Sequence, residues 1–219
     1  MKKIQTIAPV LAIIAASGAA NAGLVQSDSD SLTVSHLGGA PLSLTLDAFD
    51  DMGGTLILQS ASVTLSYTLT LDHMVEQIAG SVPAESDFDF NFSIGISSID
   101  IPLGLSDTEL YEADYVLAPF DGAMDFDGDS GETRTWNDGN SVGSTYVNGD
   151  LVFFSNDLDF LVSGTTLGVF SSTYGGQLEG WNFSVTVDAT VEYFATEVPT
   201  PASASLLALG GLVATRRRR

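Results

Sequence analysis

The chain has 219 residues, no cysteine, 28 acidic residues and seven Lys or Arg residues, giving a formal net charge of −21. All 28 acids lie between Gly23 and Glu197, where Arg134 is the one Lys or Arg, so this segment carries a formal charge of −27. Phosphate contacts need cations, so this charge excludes nucleic acid as a natural partner, and it disfavours docking on anionic lipid. Without cysteine, stability must come from the core alone.

The first 22 residues have the three parts of a secretory signal peptide. Met1-Lys2-Lys3 is a positive n-region, Ile7 to Ala16 is a short apolar segment, and Ala20-Asn21-Ala22 is an A-x-A cleavage site. An ordinary N-terminal helix does not require these features in this order. We therefore predict residues 1–22 to be a signal peptide removed by signal peptidase, with Gly23 as the first mature residue.

Between residues 23 and 197 the dominant pattern is the alternation of apolar and polar residues that is typical of β-strands with one face on a core. The alternation is clearest over 63–71, 88–96 and 181–193. Further strands are predicted at 42–46, 56–58, 111–118, 151–154, 158–162 and 166–172. The side chains predicted to face the core are Phe88, Phe90, Phe92, Ile94, Trp181, Phe183, Val185 and Val187.

Turn and helix signals divide these runs. Gly53-Gly54 separates two of them, and Asn148-Gly149 predicts a hairpin between Tyr146-Val147 and Leu151-Val152. Ser106-Asp107-Thr108-Glu109 has the form of a capping box and predicts a short helix, while 72–78 is either a short helix or a loop. Eight or more short strands predict an all-β, antiparallel two-sheet sandwich of jelly-roll type over residues 23–197.

Catalytic signals are weak in this sequence. The two histidines, His36 and His73, are interpreted as isolated residues at surface strand ends, and no G-x-S-x-G frame surrounds a serine. A glycosidase needs two carboxylates at a set spacing, but 28 acids supply such pairs by chance in any fold. We therefore predict that the protein is not an enzyme and assign no catalytic residue.

The densest acidic stretch gives a hypothesis of calcium binding. Asp125, Asp127 and Asp129 alternate as in the start of an EF-hand loop and are the predicted ligands. The pattern then departs from that loop, because Ser130 stands where Gly is wanted and Trp136 where Glu is wanted. The alternative is a solvated acidic turn.

The two tryptophans are interpreted differently. Trp181 shares a face with Phe183 and Val185 and is predicted to be in the core. Trp136 lies in the turn-rich stretch Thr135–Asn140, which predicts a loop. It is either an exposed aromatic that binds a sugar ring or an anchor packed on the edge of the sheet.

The end of the chain, residues 198–219, has the layout of a sorting signal. Val198-Pro199-Thr200-Pro201 is followed by 14 uncharged residues, Ala202 to Thr215, and then by Arg216, Arg217, Arg218 and Arg219. A spanning helix needs about 20 apolar residues, so this run suits a transient hold in the membrane with the arginines on the cytoplasmic side. The alternative, a buried C-terminal helix, would place four arginines beside the core.

This tail resembles a PEP-CTERM sorting signal. In that family the motif is Val-Pro-Glu-Pro, and Thr200 stands here in place of Glu. The resemblance implies recognition and cleavage by an integral membrane enzyme of the exosortase class, in bacteria that make extracellular polymer.

A second resemblance covers most of residues 40–195. Phe49 to Leu56, then Asp125 to Gly131, and more loosely Gly164, Phe170 and Tyr193 are similar to the choice-of-anchor E family. Such domains are secreted, occur with alternative C-terminal sorting signals and have no established activity. The resemblance therefore implies a surface or matrix protein and supplies no catalytic residue.

Taken together, these features predict a secreted, non-catalytic protein of the cell envelope, outer surface or extracellular matrix. Its predicted partners are signal peptidase and an exosortase-type enzyme, with extracellular polysaccharide as a further partner. The alternatives are a carbohydrate-binding, adhesive β-sandwich module and a glycan-active hydrolase. No cofactor is predicted apart from the hypothesised calcium ion.

Overall fold

The computed structural model describes residues 22–80, 83–172 and 176–198. The predicted signal peptide, apart from Ala22, and the predicted sorting signal, apart from Val198, lie outside these residues. The strands are β1 (Gly23–Val34), β2 (Leu42–Leu46), β3 (Leu56–Gln77), β4 (Ala84–Ser98), β5 (Gly104–Leu117), β6 (Gly131–Val147), β7 (Leu158–Ser172) and β8 (Gln177–Glu197). A 3₁₀ helix, Asn148–Ser155, links β6 to β7. The described ranges contain nothing with the length and apolar character of a membrane-spanning helix.

The strands form two four-stranded antiparallel sheets. Sheet 1 has the order β1-β8-β3-β6, and sheet 2 has the order β2-β7-β4-β5. The first strand therefore pairs with the last, the second with the seventh, the third with the sixth and the fourth with the fifth. This nesting is that of a long antiparallel ribbon rolled into two sheets, which is the eight-stranded jelly roll. The predicted fold class is confirmed.

The core lies between the two sheets and follows from the alternation in the sequence. Successive residues of a strand point to opposite faces, so every second residue of β3, β4 and β8 points inward. Full burial of a large apolar side chain stabilises the fold by about 1.5–3 kcal/mol. The largest fully buried side chains are Tyr67, Tyr115, Tyr193, Phe88, Phe90, Phe92, Phe154, Phe160, Leu44, Leu46, Leu65 and Leu69.

The predicted core set is confirmed except for one member. Seven of the eight side chains are buried, but Trp181 is 40% exposed. Trp181 does share the inward face of β8 with Phe183, as the alternation predicts. The prediction was wrong because β1 pairs with β8 only between Val34↔Val185 and Gly23↔Ala195, so within the described part of the chain Trp181 lies beyond the strand that covers this edge of β8.

Both helix predictions were wrong. Ser106 to Glu109 belong to β5, where they pair with β4, so the capping-box pattern is overridden by strand pairing. The segment 72–78 is the extended end of β3, which pairs with β6 on one side and β8 on the other. The predicted strand 111–118 is confirmed in kind and is the second half of β5.

The predicted hairpin at Asn148-Gly149 was also wrong. The residues before and after it run to different sheets, and Asn148, with φ +56°, starts the 3₁₀ helix instead. The predicted strand 151–154 lies in this helix, whose Phe154 packs against Tyr146 at a ring distance of 5.4 Å. The predicted strands 158–162 and 166–172 are parts of one strand, β7. The predicted turn at Gly53-Gly54 is confirmed, and both glycines have positive φ.

Candidate functional site

The two lateral sides of the sandwich carry its less apolar inward-facing residues. On one side, the edge strands β5 and β6 face each other, and we call this the β5–β6 side. On the other, β7 and β8 extend beyond their short neighbours, and we call residues 166–172 and 177–183 the β7–β8 side. These two regions hold both tryptophans and the domain's one arginine, and the buried His73 of β3 lies behind the second of them.

The β5–β6 side is closed by aromatic contacts between the two sheets. Tyr111 of β5 and Trp136 of β6 stack with ring centroids 5.4 Å apart and an interplanar angle of 18°. Beside them, the Arg134 guanidinium lies 4.3 Å from the centre of the Tyr115 ring, a cation–π contact. Arg134 Nε also donates to Glu132 Oε1 at 2.6 Å.

This arrangement corrects the prediction for Trp136. The residue lies within β6 rather than in a loop, and it is half-buried against the core. Arg134, Trp136 and Asp138 are two residues apart and share the inward face of β6, as expected for a strand. The Gly and Asn residues that predicted a loop are instead paired with β3. Of the two interpretations, the packed anchor describes its surroundings, since Tyr111 covers the indole.

Farther from Trp136, the β5–β6 side is held together by polar contacts. Asp107 Oδ2 accepts from Asn140 Nδ2 at 2.7 Å and from the Tyr67 hydroxyl at 3.0 Å. The Asn140 contact, with help from Tyr67 and the Thr108 amide, lowers the pKa of Asp107. Between these contacts and the aromatic pair, Asp138 and Asp107 raise the pKa of Glu109 by charge repulsion, the Asp138 carboxylate having the larger effect.

On the β7–β8 side, the described residues do not form a comparable row of contacts between the two sheets. Strand β2 pairs with β7 only as far as Val162, and the segment after β1 reaches as far as Thr166, whose amide donates to Leu37 O at 3.2 Å. Beyond that point, no strand formed by the described residues lies beside β7 and β8 on this side. Trp181 lies here, with its ring centroid 5.7 Å from that of Phe90 at an angle of 64°.

His73 lies behind the β7–β8 side and is fully buried. It stacks on Phe88 with a centroid distance of 3.6 Å and an angle of 8°. Its Nδ1 is 2.6 Å from the Tyr115 hydroxyl, and its Nε2 is 3.3 Å from Glu179 Oε1. The prediction of a surface residue was wrong, because His73 continues the inward phase of Leu69 and Leu71.

The protonation of His73 follows from these surroundings. Burial, followed by the charge of Arg134, lowers the pKa of His73 to about 4. The ring is therefore neutral at neutral pH, and its contact with Glu179 is a hydrogen bond rather than an ion pair. The consistent tautomer has Nε2–H donating to the Glu179 carboxylate and Nδ1 accepting from Tyr115, whose pKa is raised by burial. Both ring nitrogens are thus engaged by protein groups.

His36 fits its prediction. It is exposed, lies just after β1 and has Nδ1 3.2 Å from the Thr166 hydroxyl.

The acidic segment after β5 forms a loop fixed by a buried carboxylate. Glu76 is fully buried although it points to the outer face of β3, because this loop covers it. Its Oε1 accepts from the Ser130 hydroxyl at 2.7 Å, and its Oε2 accepts from the Phe126 amide at 2.7 Å. The loop also places Gly131 so close to Glu76 that a Cβ there would lie 2.4 Å from Oε2.

The three predicted calcium ligands are exposed in this loop. Asp125 Oδ1 accepts from the Asp127 amide at 3.1 Å, and Asp127 Oδ1 accepts from the Gly128 amide at 2.8 Å. Within the described residues, no three His, Asp or Glu side chains are grouped so as to hold a metal ion, so Asp125, Asp127 and Asp129 are not brought together as such a group. Calcium binding stays a prediction, to be tested by melting with calcium against sodium at matched ionic strength.

An open groove of about 670 Å³ runs along β3 and β6 over residues 66–70 and 137–141. Gly139 makes the strands approach closely, since a Cβ there would lie 2.6 Å from Tyr67 O. Hydroxyl and amide side chains dominate its lining.

No protein-family model and no curated protein matches the chain. Solved structures that are similar to it include the semi-empty virus-like particle of the giant freshwater prawn Macrobrachium rosenbergii nodavirus, at 14% identity and a TM-score of 0.26, covering 92% of this chain and 96% of that chain. Mud crab tombus-like virus is 10% identical with a TM-score of 0.20, covering 94% and 97%. Desmodium yellow mottle tymovirus is 9% identical with a TM-score of 0.20, covering 87% and 97%. Scores this low carry no argument about function, and the strand order itself defines the fold.

Sequence reasoning missed His73, Glu76 and Glu179. The period-two pattern already places His73 inward, in phase with Leu71, so the signal for its burial was present. Glu179 is likewise in phase with Trp181 on β8. The burial of Glu76 carried no local signal, because it depends on a loop about 50 residues later in the chain.

Proposed function

We propose that the chain is a secreted, non-catalytic protein of the cell surface or extracellular matrix, processed by signal peptidase and sorted by an exosortase-type enzyme. The observation that carries this proposal is the charge of the sandwich. Residues 23–197 contain 28 carboxylates and one guanidinium, and that guanidinium is bound to Glu132 and the Tyr115 ring. A surface of this kind stays soluble and repels nucleic acid and anionic lipid, and the cations of an exterior medium screen its self-repulsion.

The test is the mass and location of the protein in cells that make it. We expect the protein outside the inner membrane, with a mass that lacks residues 1–22 and the arginines at 216–219. A matched variant with Arg216–Arg219 replaced by Ser should remain unprocessed at the C-terminus. Wild-type protein that keeps its arginine cluster, or that stays in the inner membrane, would contradict the proposed sorting.

A second candidate function is a carbohydrate-binding, adhesive module. The observation that favours it is the exposure of Trp181 on the β7–β8 side, since sugar rings stack on exposed indoles. Trp136 is covered by Tyr111 and offers a less accessible surface.

Co-sedimentation of the full chain with a panel of insoluble polysaccharides tests this candidate. We expect retention that is lost in Trp181→Ala and kept in Tyr111→Phe, which preserves the stacked pair. Absence of retention on every polysaccharide would remove this candidate and leave the matrix proposal standing.

A further inference from the structure

The β7–β8 side brings an indole and a carboxylate together on one face of one strand. Trp181 and Glu179 are two residues apart on β8, so their Cα atoms are about 6.6 Å apart and their side chains leave the strand on the same face. That distance is comparable to the width of one pyranose ring with its substituents.

Trp181 is oriented but not covered. The edge-to-face contact with Phe90 holds the indole at 5.7 Å, yet 40% of the side chain remains in solvent. A packed tryptophan usually contributes by burial, as Trp136 does on the other side. Fixed orientation together with exposure is what a stacking surface for a ligand requires, because little conformational entropy is then lost on binding.

Glu179 carries a charge that no cation of the sandwich balances. Its side chain is 25% exposed, and burial raises its pKa. The described residues contain one guanidinium, Arg134, which binds Glu132 instead, and the partner of Glu179 is the neutral ring of His73. A partly buried carboxylate with a single neutral donor retains acceptor capacity for a cationic group.

We propose that the β7–β8 side binds a polysaccharide containing hexosamine units with free amino groups, with Trp181 stacking on the sugar ring and Glu179 accepting from the ammonium. This inference rests on the carbohydrate-binding function proposed above and names its ligand class and residues. An ammonium suits both groups, because it is attracted to the face of an indole and to a carboxylate.

The charge of the whole domain selects among sugars. The formal charge of −27 creates a negative potential that concentrates cationic ligands near the surface and repels uronic acid polymers. A neutral sugar would use Trp181 but would leave the charge of Glu179 unbalanced. His73 acts as a positioning residue, since its Nε2–H holds Glu179 Oε1 at 3.3 Å and leaves the other oxygen for the ligand.

The decisive experiment titrates the full chain with three trisaccharides by calorimetry: a glucosamine trimer, its N-acetylated form and a glucose trimer. The pH is set so that the amines are protonated, and short ligands limit general attraction to a polyanion. We expect the glucosamine trimer to bind at least about tenfold more tightly than the other two, which corresponds to about 1.4 kcal/mol. Trp181→Ala and Glu179→Gln should each weaken its binding by about tenfold.

Matched controls separate the site from bulk charge. Glu192→Gln removes one exposed carboxylate from the outer face of the same strand, and Leu178→Ala removes a neighbouring side chain that is also 40% exposed. We expect both controls to bind as the wild type does. A loss in Glu192→Gln equal to that in Glu179→Gln would show general electrostatic attraction and overturn the proposal.

The outcomes also distinguish a wrong assignment of the sugar from a wrong location of the carbohydrate site. Equal binding of all three trisaccharides, lost in Trp181→Ala, would overturn the amino-sugar assignment and keep the carbohydrate-binding function. Binding unchanged in Trp181→Ala would overturn the location. If Trp181→Ala unfolds, the fluorescence of Trp181 in a Trp136→Phe background serves instead, and ligand-induced change with the glucosamine trimer supports the site, while no change overturns it.

Discussion

The two sides of this jelly roll differ in how their inward-facing residues are used: one is formed by the edge strands β5 and β6, and the other by the parts of β7 and β8 that extend beyond the edge strands β2 and β1. On the β5–β6 side, side chains of the two sheets meet at successive positions, through Arg134 with Tyr115, Trp136 with Tyr111 and Asn140 with Asp107. On the β7–β8 side, Trp181 is on the inward face of β8 but remains 40% exposed, and the carboxylate of Glu179 has the neutral His73 ring as its partner. The first side closes the sandwich, and the second presents a partly exposed indole and a carboxylate that has no cationic partner among the described residues.

The comparison shows that the exposure of an inward-facing side chain at the side of the sandwich depends on where the neighbouring edge strand ends. Both tryptophans contact the same core ring, Phe90, with centroid distances of 6.4 Å for Trp136 and 5.7 Å for Trp181. Trp136 gains a second aromatic neighbour because β5 runs beside it. Among the described residues Trp181 has no second aromatic neighbour, because β1 stops pairing with β8 at Val185.

The largest effect should come from removing the ring that both sides share. Phe90→Ala deletes a fully buried side chain and leaves a cavity between Trp136, Trp181 and Phe183, so we expect a loss of about 3–5 kcal/mol in the free energy of unfolding. Urea unfolding followed by tryptophan fluorescence measures it and reports on both indoles. Phe153→Ala, which removes a more exposed ring from the 3₁₀ helix, is the control and should cost far less. Similar losses in the two variants would contradict the central place of Phe90.

Acid should weaken the part of the core behind the β7–β8 side. His73 is neutral in the fold and charges more readily when unfolded, so its contribution is lost as pH falls from its ordinary pKa of 6.5 to about 4. A tenfold change in proton affinity is worth about 1.4 kcal/mol, which makes the expected loss about 3 kcal/mol. The relevant comparison is wild type against His73→Phe, because acid also relieves the repulsion among the carboxylates.

Stability is therefore measured at pH 7 and at pH 4 for both proteins. We expect the wild type to lose about 3 kcal/mol relative to His73→Phe across this window. His36→Gln removes the other, exposed imidazole and should follow the wild type. A constant difference between wild type and His73→Phe would show that the ring is not held neutral.

Much of this fold was predictable, and the exceptions have one physical cause. Alternation fixed the faces of β3, β4 and β8, since period two depends on local geometry. It could not give the exposure of Trp181, which depends on where a strand more than 140 residues earlier stops pairing. The same limit applies to Ser106 to Glu109, whose helix-start pattern is overridden by pairing with β4, and to Asn148, whose flanking residues enter different sheets. The sequence pattern placed β3, β4 and β8 well, but it gave no prediction for β1 and only the last two residues of β6, and it could not place the neighbours of any strand.

The two tryptophans give the most direct test of the difference between the sides. Trp136→Ala removes a half-buried indole and its stack with Tyr111, and we expect a loss of about 2 kcal/mol in unfolding free energy. Trp181→Ala removes one contact with Phe90 and should cost about 1 kcal/mol or less. A double-mutant cycle of Trp136→Ala with Tyr111→Ala should give a coupling energy of about 0.5–1.5 kcal/mol. Equal losses for the two tryptophans would contradict the assignment of a closed and an open side.

The smallest effect should come from the charge repulsion at Glu109 on the closed side. Asp138, then partial burial, then Asp107 raise the pKa of Glu109, so its charge opposes folding at neutral pH. Glu109→Gln keeps the shape of the side chain and removes that charge, and we expect a small rise in melting temperature.

Two conditions identify the cause of that rise. It should shrink at high salt, because exposed charges are screened. It should also disappear as pH falls through the raised pKa, because wild-type Glu109 then becomes neutral in the fold. Glu192→Gln removes one charge from the same −27 total at an exposed position of β8 and measures the general effect of net charge. A rise in Glu192→Gln as large as that in Glu109→Gln would mean that the repulsion is spread over the whole surface, and the β5–β6 side would then have no unfavourable position of its own.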